Sequence, residues 1–133
     1  IYGIGCDLCD TARMAKSLGG PMAHLCGQSL RPGGAGGAGA FGESSSPSSA
    51  HKAASAAADF AAKEAFLKAA GTGLAGPFAL CEIEAVRLES GAPEYRFSGG
   101  SARWMDERHL RAKLSLSHDG GMALAFCILE TET

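Results

Sequence analysis

The chain has 133 residues, of which 46% are hydrophobic and 20% are charged, and its net charge is −2. This length predicts a single domain that can bury a sizeable core. The nearly balanced charge argues against nucleic acid or a membrane surface as the partner, and no apolar run approaches the roughly 18 residues that a membrane-spanning helix needs.

Five cysteines are scattered through apolar contexts, at positions 6, 9, 26, 81 and 127. This pattern is typical of a reduced intracellular protein, so we expect a cytoplasmic location; an organelle is compatible with the sequence if a targeting segment was removed. Cys6 and Cys9 have C-x-x-C spacing, but no second cysteine or histidine pair follows at the spacing of a zinc site. In a strand, their odd separation directs the two thiols to opposite faces. We expect the cysteines to be small buried hydrophobic side chains.

The chain begins with a predicted strand and a short helix. Residues 1–8 form an apolar run with two glycines, which predicts a buried strand. Asp10 or Thr11 can cap the helix that follows, with Arg13 facing outward and Met14 facing inward. The first strand is therefore expected to lead almost directly into a helix.

The next stretch combines a low-complexity segment with a long helix. Residues 22–30 predict a second short helix. Residues 31–50 consist mostly of Gly, Ala, Ser and Pro, which bury too little apolar surface to offset the entropy of ordering, so we expect a flexible loop. An alanine-rich helix is predicted from residue 51 to residue 70.

The second half of the chain predicts strands around one further helix. Alternating apolar and polar residues, with turn signals between them, predict strands at 80–89, 94–98, 113–118 and 122–129 and a helix at 102–110. The last two strands are joined by Asp119-Gly120-Gly121, which predicts a hairpin. The whole order predicts an α+β fold in which a mostly antiparallel sheet packs on the long helix.

The long helix carries the most distinctive charges of the sequence. At about 100° per residue, Glu64 and Lys68 lie on one side of the helix together with Phe60 and Leu67. A pair at this spacing is usually a surface ion pair worth about 0.3–0.5 kcal/mol. The apolar neighbours favour a functional interpretation, in which a carboxylate and an amine serve a divalent cation and a phosphate.

Asp7 lies near the end of the first predicted strand. An acid at such a place usually bonds to the local backbone of a turn or a helix cap. Together with Glu64 it offers two carboxylates from different elements, and Mg²⁺ binds to one or two carboxylates plus waters and substrate phosphates. The two residues predict a magnesium site, provided that the strand and the helix converge.

Two later segments have both a structural and a functional interpretation. Gly71-Thr72-Gly73 is first of all a helix C-terminal cap, but its backbone can also approach a phosphate closely, with the Thr72 hydroxyl adding a bond. The run Ser115-Leu116-Ser117-His118-Asp119 is not a hydrolase triad, because the members of a triad meet in space from separate segments. His118 beside the hairpin can bind an anion, although a lone histidine is more often structural.

These segments together resemble the holo-acyl-carrier-protein synthase type of 4'-phosphopantetheinyl transferase. The resemblance rests on three segments that occur in the family's order along the chain. They are Gly3-Ile4-Gly5-Cys6-Asp7-Leu8 with Arg13-Met14, then Phe60-Ala61-Ala62-Lys63-Glu64-Ala65-Phe66 with Lys68 and Gly71-Thr72-Gly73, and finally Ser115-Leu116-Ser117-His118 with the closing strand 123–130. The middle segment is the most specific of the three.

The resemblance implies an enzyme that transfers the 4'-phosphopantetheine arm of coenzyme A to a serine of apo acyl carrier protein and releases adenosine 3',5'-bisphosphate. By similarity, Asp7 and Glu64 are expected to hold Mg²⁺ at the pyrophosphate of coenzyme A. Lys68 is expected to neutralise the charge that builds up there. The general base that deprotonates the carrier serine would be Glu64 or a metal-bound water.

The resemblance also implies binding residues and an assembly. Nucleotide contacts are expected from Lys63 and His118 and from the backbone of Gly71, Thr72 and Gly73. Arg13 is similar to an arginine that meets the acidic helix of the carrier protein. Members of this type are typically homotrimers with sites between protomers, so the same is expected here.

The sequence departs from the family in two places. An arginine commonly precedes the middle segment, and Asp59 stands there in this chain. The family's charged and aromatic segment before the long helix is replaced by the Gly/Ser/Ala run 31–50, in which Phe41-Gly42-Glu43 can be a remnant. These departures leave two alternatives open: an inactive or structural domain of this fold within a larger fatty-acid or polyketide synthase, and a regulatory module that binds coenzyme A without transferring its arm.

Overall fold

The structure is a computed structural model that describes residues 1–17, 31–32, 49–73, 76 and 78–132. The predicted short helix at 22–30 and most of the predicted flexible loop at 31–50 lie outside the described residues. No helix in the described ranges is long and apolar enough to cross a membrane.

The described part of the chain contains six strands and three α-helices, which confirms the predicted α+β fold. In chain order they are β1 (Gly3–Asp10), α1 (Thr11–Ser17), β2 (Arg31–Pro32), α2 (Ser49–Ala70), β3 (Ile83–Arg87), β4 (Pro93–Phe97), α3 (Gly99–Glu107), β5 (Leu110–Asp119) and β6 (Met122–Thr131). A 3-10 turn at Leu80–Glu82 precedes β3. The short β2 lies inside the segment that was expected to be a loop.

The strands form two three-stranded sheets. The first has the order β1-β6-β5, and its neighbours are antiparallel. The second has the order β2-β3-β4, with β2 parallel to β3 and β3 antiparallel to β4. The long helix α2 packs on β1 and β6 and also contacts β3, so it holds the two sheets together.

Helix α2 packs closely because most of its buried positions are alanines. Ala57, Ala61 and Ala65 have no exposed surface, so the helix backbone comes close to the strands beneath it. Phe66 then fills the wider space next to the second sheet, where its ring lies 4.8 Å from Phe97 between centroids. The alanines therefore have a packing role from Ala53 to Ala69.

Asp10 caps helix α1, as one of the two sequence alternatives predicts. Its Oδ1 accepts hydrogen bonds from the backbone N–H groups of Ala12 at 2.8 Å and Arg13 at 3.2 Å. Met14 is buried with 4% exposure, and Arg13 is exposed, as expected. The helix therefore starts directly after β1 and presents Arg13 at the surface.

Helix α3 begins three residues before the predicted start and ends earlier. The side chain of Glu82 lies at its first turn, where Glu82 Oε2 accepts a hydrogen bond from the Ser101 N–H at 3.1 Å. The Ser101 hydroxyl donates to the Glu82 carbonyl at 2.8 Å. At the other end, His109 has a φ of 51°, which ends the helix and lets Leu110 enter β5. A residue from another element supplies hydrogen bonds to the first turn, so the local sequence predicted the helix but not where it starts.

The prediction that the cysteines are buried is partly wrong. Cys127 is fully buried and Cys9 is partly buried, but Cys6 and Cys81 are exposed, and all four are free thiols. Cys6 and Cys9 point to opposite faces of β1, as their spacing predicted. Cys26 lies outside the described residues.

Candidate active site

Strand β1 and helix α2 bring Asp7 and Lys68 together. The Lys68 ammonium donates to Asp7 Oδ1 at 3.0 Å and to the backbone carbonyl of Cys6 at 3.0 Å. The Asp7 side chain is 16% exposed and the Lys68 side chain 52%, so the pair lies at the protein surface. The hydrogen bond from Lys68 to Asp7, with the charge of that carboxylate, raises the pKa of Lys68 above its ordinary value.

Glu64 lies one helical turn before Lys68 and is half-buried. Burial raises the pKa of its carboxyl, the negative charge of Asp7 acts in the same direction, and Lys68 opposes both. The hydrogen bond between Lys68 and Asp7 joins α2 to β1, and the helix places Glu64 one turn from Lys68. The strand and the helix therefore converge, as the magnesium hypothesis requires.

The donor set of this cluster fits Mg²⁺. Asp7 and Glu64 supply hard carboxylate oxygens from two elements. Among the described residues, no group of three or more His, Cys, Asp or Glu side chains could form a cage made of protein ligands alone. Mg²⁺ suits such an open site because it retains waters and takes phosphate oxygens of a substrate as further ligands.

The glycines after α2 form its C-terminal cap. The Gly71 N–H donates to the Lys68 carbonyl at 3.1 Å, and the Thr72 N–H donates to the Leu67 carbonyl at 3.2 Å, which is the Schellman pattern. Gly71 and Gly73 have φ values of 81° and 59°, a region that favours glycine. The structural interpretation is thereby confirmed.

The same segment leaves open space in front of its backbone. A Cβ added at Gly71 or Gly73 would meet no described atom within 4 Å. The Thr72 hydroxyl donates to the Gly73 carbonyl at 3.2 Å in this structure. Close approach of a phosphate to this backbone stays a prediction.

Lys63 is not brought to this cluster. Its ammonium lies 3.5 Å from Asp59 Oδ2, and the two side chains are 2% and 3% exposed. Asp59 therefore pairs with Lys63 inside the protein, and sequence reasoning missed this contact. The signal was present, because Asp59 and Lys63 have the same spacing of four residues as Glu64 and Lys68.

Lys63 does not fully offset the cost of burying the Asp59 carboxylate. Burial raises the pKa of Asp59 to about 6, although the charge of Lys63 acts in the opposite direction. Asp59 Oδ1 has no hydrogen-bond partner among the described residues. Removing the two charges from water therefore costs free energy that their mutual attraction offsets only in part, which is typical of buried ion pairs.

His118 and Arg13 are carried by elements other than those of Asp7 and Lys68. His118 is exposed at the end of β5 and is opposite Ala123 of β6, which in turn is opposite Cys9 of β1. That register places His118 two strands away from β1, on the face of the sheet that also carries Asp7. Arg13 is exposed on α1. The nucleotide role of His118 and the carrier role of Arg13 remain predictions.

Comparison with known proteins identifies the relatives of this chain. The sequence profile of the 4'-phosphopantetheinyl transferase superfamily matches residues 41–127. A holo-[acyl-carrier-protein] synthase from Delftia acidovorans is 31% identical over 130 residues, which cover 98% of this chain and 97% of the relative. The sequence likeness therefore extends over nearly the whole of both chains.

Solved structures agree with the sequence likeness. The crystal structure of holo-[acyl-carrier-protein] synthase from Neisseria meningitidis matches with a TM-score of 0.72 and 29% identity, covering 98% of this chain and 99% of that chain. The Helicobacter pylori holo-[acyl-carrier-protein] synthase, solved in complex with coenzyme A, has a TM-score of 0.69 and 26% identity, with 96% and 99% covered. The fold of the described residues is thus shared with these two synthases.

Proposed function

The chain belongs to the 4'-phosphopantetheinyl transferase superfamily as a holo-acyl-carrier-protein synthase, and we propose that it transfers the 4'-phosphopantetheine arm of coenzyme A to a serine of apo acyl carrier protein with the help of Mg²⁺. The observation that carries the proposal is the contact of 3.0 Å between Lys68 Nζ and Asp7 Oδ1 with Glu64 beside it. Two carboxylates and an ammonium at the surface are suited to a divalent cation and a pyrophosphate.

Asp7 and Glu64 would hold the metal ion. When bound, Mg²⁺ would neutralise the pyrophosphate of coenzyme A and so favour departure of the nucleotide. Lys68 would serve the same phosphates, because its side chain is 52% exposed and so accessible to a ligand. Its ammonium would exchange part of its contact with Asp7 for a contact with a phosphate oxygen.

The proposed reaction is a phosphoryl-type transfer in which the enzyme mainly positions groups and stabilises charge. The serine Oγ of the carrier protein forms a bond to the phosphorus that bears the pantetheine arm. The bond from that phosphorus to the bridging oxygen breaks, and adenosine 3',5'-bisphosphate leaves with the electron pair. The serine proton would pass to Glu64 or to a water molecule beside it.

The surroundings of the cluster support the other proposed contacts. The open backbone at Gly71 and Gly73 follows directly after the helix that carries Lys68, so it can take a phosphate of the nucleotide. His118 would add a positive or hydrogen-bonding group to that nucleotide. Arg13 lies on the helix that follows the strand of Asp7, so an acidic carrier helix docked there would bring its serine near the cluster.

We further propose that the enzyme is a homotrimer with sites between protomers. One face of the β1-β6-β5 sheet packs on α2, and the opposite face exposes large apolar side chains, including Ile4 at 58%, Leu8 at 61% and Phe126 at 40%. A patch of this kind is unusual on a monomer and is typical of an interface. Copies of the same chain are the proposed occupants, and sedimentation equilibrium measures the assembly directly.

A transfer assay tests the proposed function. Apo acyl carrier protein, coenzyme A, Mg²⁺ and this chain are incubated, and mass spectrometry measures whether the carrier gains one phosphopantetheine arm. We expect transfer that stops when a chelator removes the metal. Absence of transfer over a range of carriers and divalent metals would contradict the proposal, and calorimetry would then show whether coenzyme A binds at all.

A cytoplasmic role in fatty-acid biosynthesis completes the proposal. Two observations support this role: the four described cysteines are free thiols, and the bacterial relatives are named for their action on acyl carrier protein. Comparing transfer to carrier proteins of fatty-acid and polyketide synthesis would establish which carrier is preferred.

A further inference from the structure

Two glycines of β1 lie directly against the backbone of α2. Gly3 and Gly5 are on the strand face that meets the helix, while Ile4 and Cys6 point to the opposite face. A Cβ added at Gly5 would overlap the carbonyl oxygen of Ala65 and would lie 2.6 Å from the Ala69 nitrogen. The helix and the strand are therefore so close that only glycine fits between their backbones.

This requirement for glycine comes from packing. The described glycines with positive φ are at positions 71, 73, 91, 99, 120 and 121, so Gly3 and Gly5 have backbone conformations that other residues adopt in strands. At Gly3, an added Cβ would overlap the carbonyl oxygen of Ala69 and would lie 3.1 Å from its carbonyl carbon. Alanine at either position would thus push against the helix backbone, which cannot change rotamer to make room.

The close contact lies next to the candidate active site on both elements. Gly5 is two residues before Asp7 and on the same face of β1. On the helix side, a Cβ at Gly5 would lie 2.9 Å from the Cβ of Lys68, and the overlapping carbonyl of Ala65 belongs to the residue after Glu64. A displacement of α2 at this point would carry Glu64 and Lys68 away from Asp7 together.

We propose that Gly5, supported by Gly3, is a positioning residue that sets the separation between Asp7 on β1 and the Glu64–Lys68 pair on α2. This inference rests on the proposed function. Normal van der Waals separation at Gly5→Ala requires the helix to move by about 1 Å, and a misplacement of that size can cost about 100-fold in rate. The contact of 3.0 Å between Lys68 and Asp7 is the distance that would lengthen.

A purely structural role for the glycines makes a different prediction. Overpacking at a helix–strand contact destabilises a protein by about 1–3 kcal/mol, whatever the contact supports. In that case Gly5→Ala would lower the melting temperature, and the folded fraction would keep its turnover and its metal affinity. The two roles are therefore separated by measurements made well below the melting temperature.

The experiment compares Gly5→Ala with Met105→Ala in the full chain. Met105 is buried with 5% exposure in α3, away from β1, and its truncation costs about 2–5 kcal/mol, so it controls for lost stability alone. The readouts are kcat and KM for coenzyme A, the affinity for Mn²⁺ by electron paramagnetic resonance without coenzyme A, and the distance from Lys68 Nζ to Asp7 Oδ1 in a crystal structure.

For Gly5→Ala we expect kcat to fall by about 10- to 100-fold and Mn²⁺ binding to weaken by about 10-fold, with a longer Lys68–Asp7 distance. Met105→Ala should leave all three readouts near their wild-type values. Wild-type kcat and Mn²⁺ affinity in folded Gly5→Ala would overturn the inference, and so would equal losses in Met105→Ala.

A second variant and two readouts that do not depend on arm transfer complete the experiment. If Gly5→Ala does not fold, Gly3→Ala replaces it, with a smaller expected loss because Gly3 is two residues further from Asp7; unchanged kcat and Mn²⁺ affinity in that variant would overturn the inference. If the wild-type chain transfers no arm, the proposed function fails, while Mn²⁺ affinity and the Lys68–Asp7 distance still test whether Gly5 positions the cluster.

Discussion

Helix α2 carries two acid–base pairs of the same spacing, and the fold uses them differently. Asp59 and Lys63 face the interior, where their side chains are 3% and 2% exposed and 3.5 Å apart. The second pair, Glu64 and Lys68, begins five residues after Asp59, and Lys68 is 52% exposed and bonded to Asp7. An identical sequence pattern thus produces a buried ion pair in one place and an accessible charged cluster in the other.

Solvent access decides what such a pair of side chains can do. Inside the protein, desolvation dominates and raises the pKa of Asp59 to about 6 even though an ammonium is next to it. At the surface, water and the neighbouring Asp7 keep Lys68 charged and available. We therefore assign the buried pair to the stability of the fold and the exposed cluster to the chemistry.

The largest effect is expected at the exposed cluster. Asp7→Asn and Glu64→Gln should each lower the transfer rate by about 100- to 10,000-fold, because each removes a carboxylate proposed to bind metal or accept a proton. Both variants should fold normally. The measurement is the rate of arm transfer, with Glu89→Gln as the control because Glu89 is an exposed acid outside the cluster. Unchanged turnover in either cluster variant would refute the role of that residue.

The next largest effect is expected at the buried pair. Lys63→Met leaves Asp59 without its counter-charge and should lower the free energy of unfolding by about 3–5 kcal/mol in urea titrations near neutral pH. Replacing both residues, as Asp59→Leu with Lys63→Met, should recover most of that loss, because buried ion pairs are often replaceable by apolar side chains. A single variant as stable as the wild type would show that the pair is not coupled.

The pH dependence of stability gives a smaller effect with a definite sign. Because the folded-state pKa of Asp59, about 6, exceeds the ordinary 3.8, the folded chain binds the proton more tightly, so stability should fall as the pH rises from about 4 through 6. At about 1.36 kcal/mol per pH unit the difference amounts to roughly 3 kcal/mol at most. Urea unfolding of the wild type and of Asp59→Asn over this pH range separates the contribution of Asp59 to the free energy of unfolding. The same pH dependence in both proteins would contradict the prediction.

A substitution on the exposed apolar face of the β1-β6-β5 sheet is expected to change the stability of the individual chain least. Phe126 is 40% exposed, so Phe126→Glu should change the fold of one chain little while it prevents copies from associating. Sedimentation equilibrium should then report a monomer in place of the proposed trimer. An unchanged assembly would place the interface elsewhere.

Features set by local sequence could be predicted. The Asp119-Gly120-Gly121 hairpin forms as expected, since φ values of 55° and 76° at its glycines match the turn that such sequences favour. The cap of α1 by Asp10 also followed from adjacent residues. The composition and order of elements were enough to predict the α+β fold.

Features that depend on contacts between distant residues could not be predicted from the sequence pattern. The start of α3 depends on Glu82, a residue of another element. The burial of Lys63 depends on how the sheets cover α2, and the expectation that it contacts the nucleotide came from similarity to a family. The contact between Asp7 and Lys68 joins residues 61 positions apart, so the sequence could propose that they converge but could not establish it.

One measurement tests the division between the two pairs most directly. Arm transfer to apo acyl carrier protein is compared between Lys68→Met and the double variant Asp59→Leu with Lys63→Met, each at a temperature where it is fully folded. We predict that Lys68→Met loses about 100-fold or more in rate, and that the double variant stays within about threefold of the wild type in kcat and in KM for coenzyme A. Full activity in Lys68→Met, together with loss of activity in the folded double variant, would contradict the account.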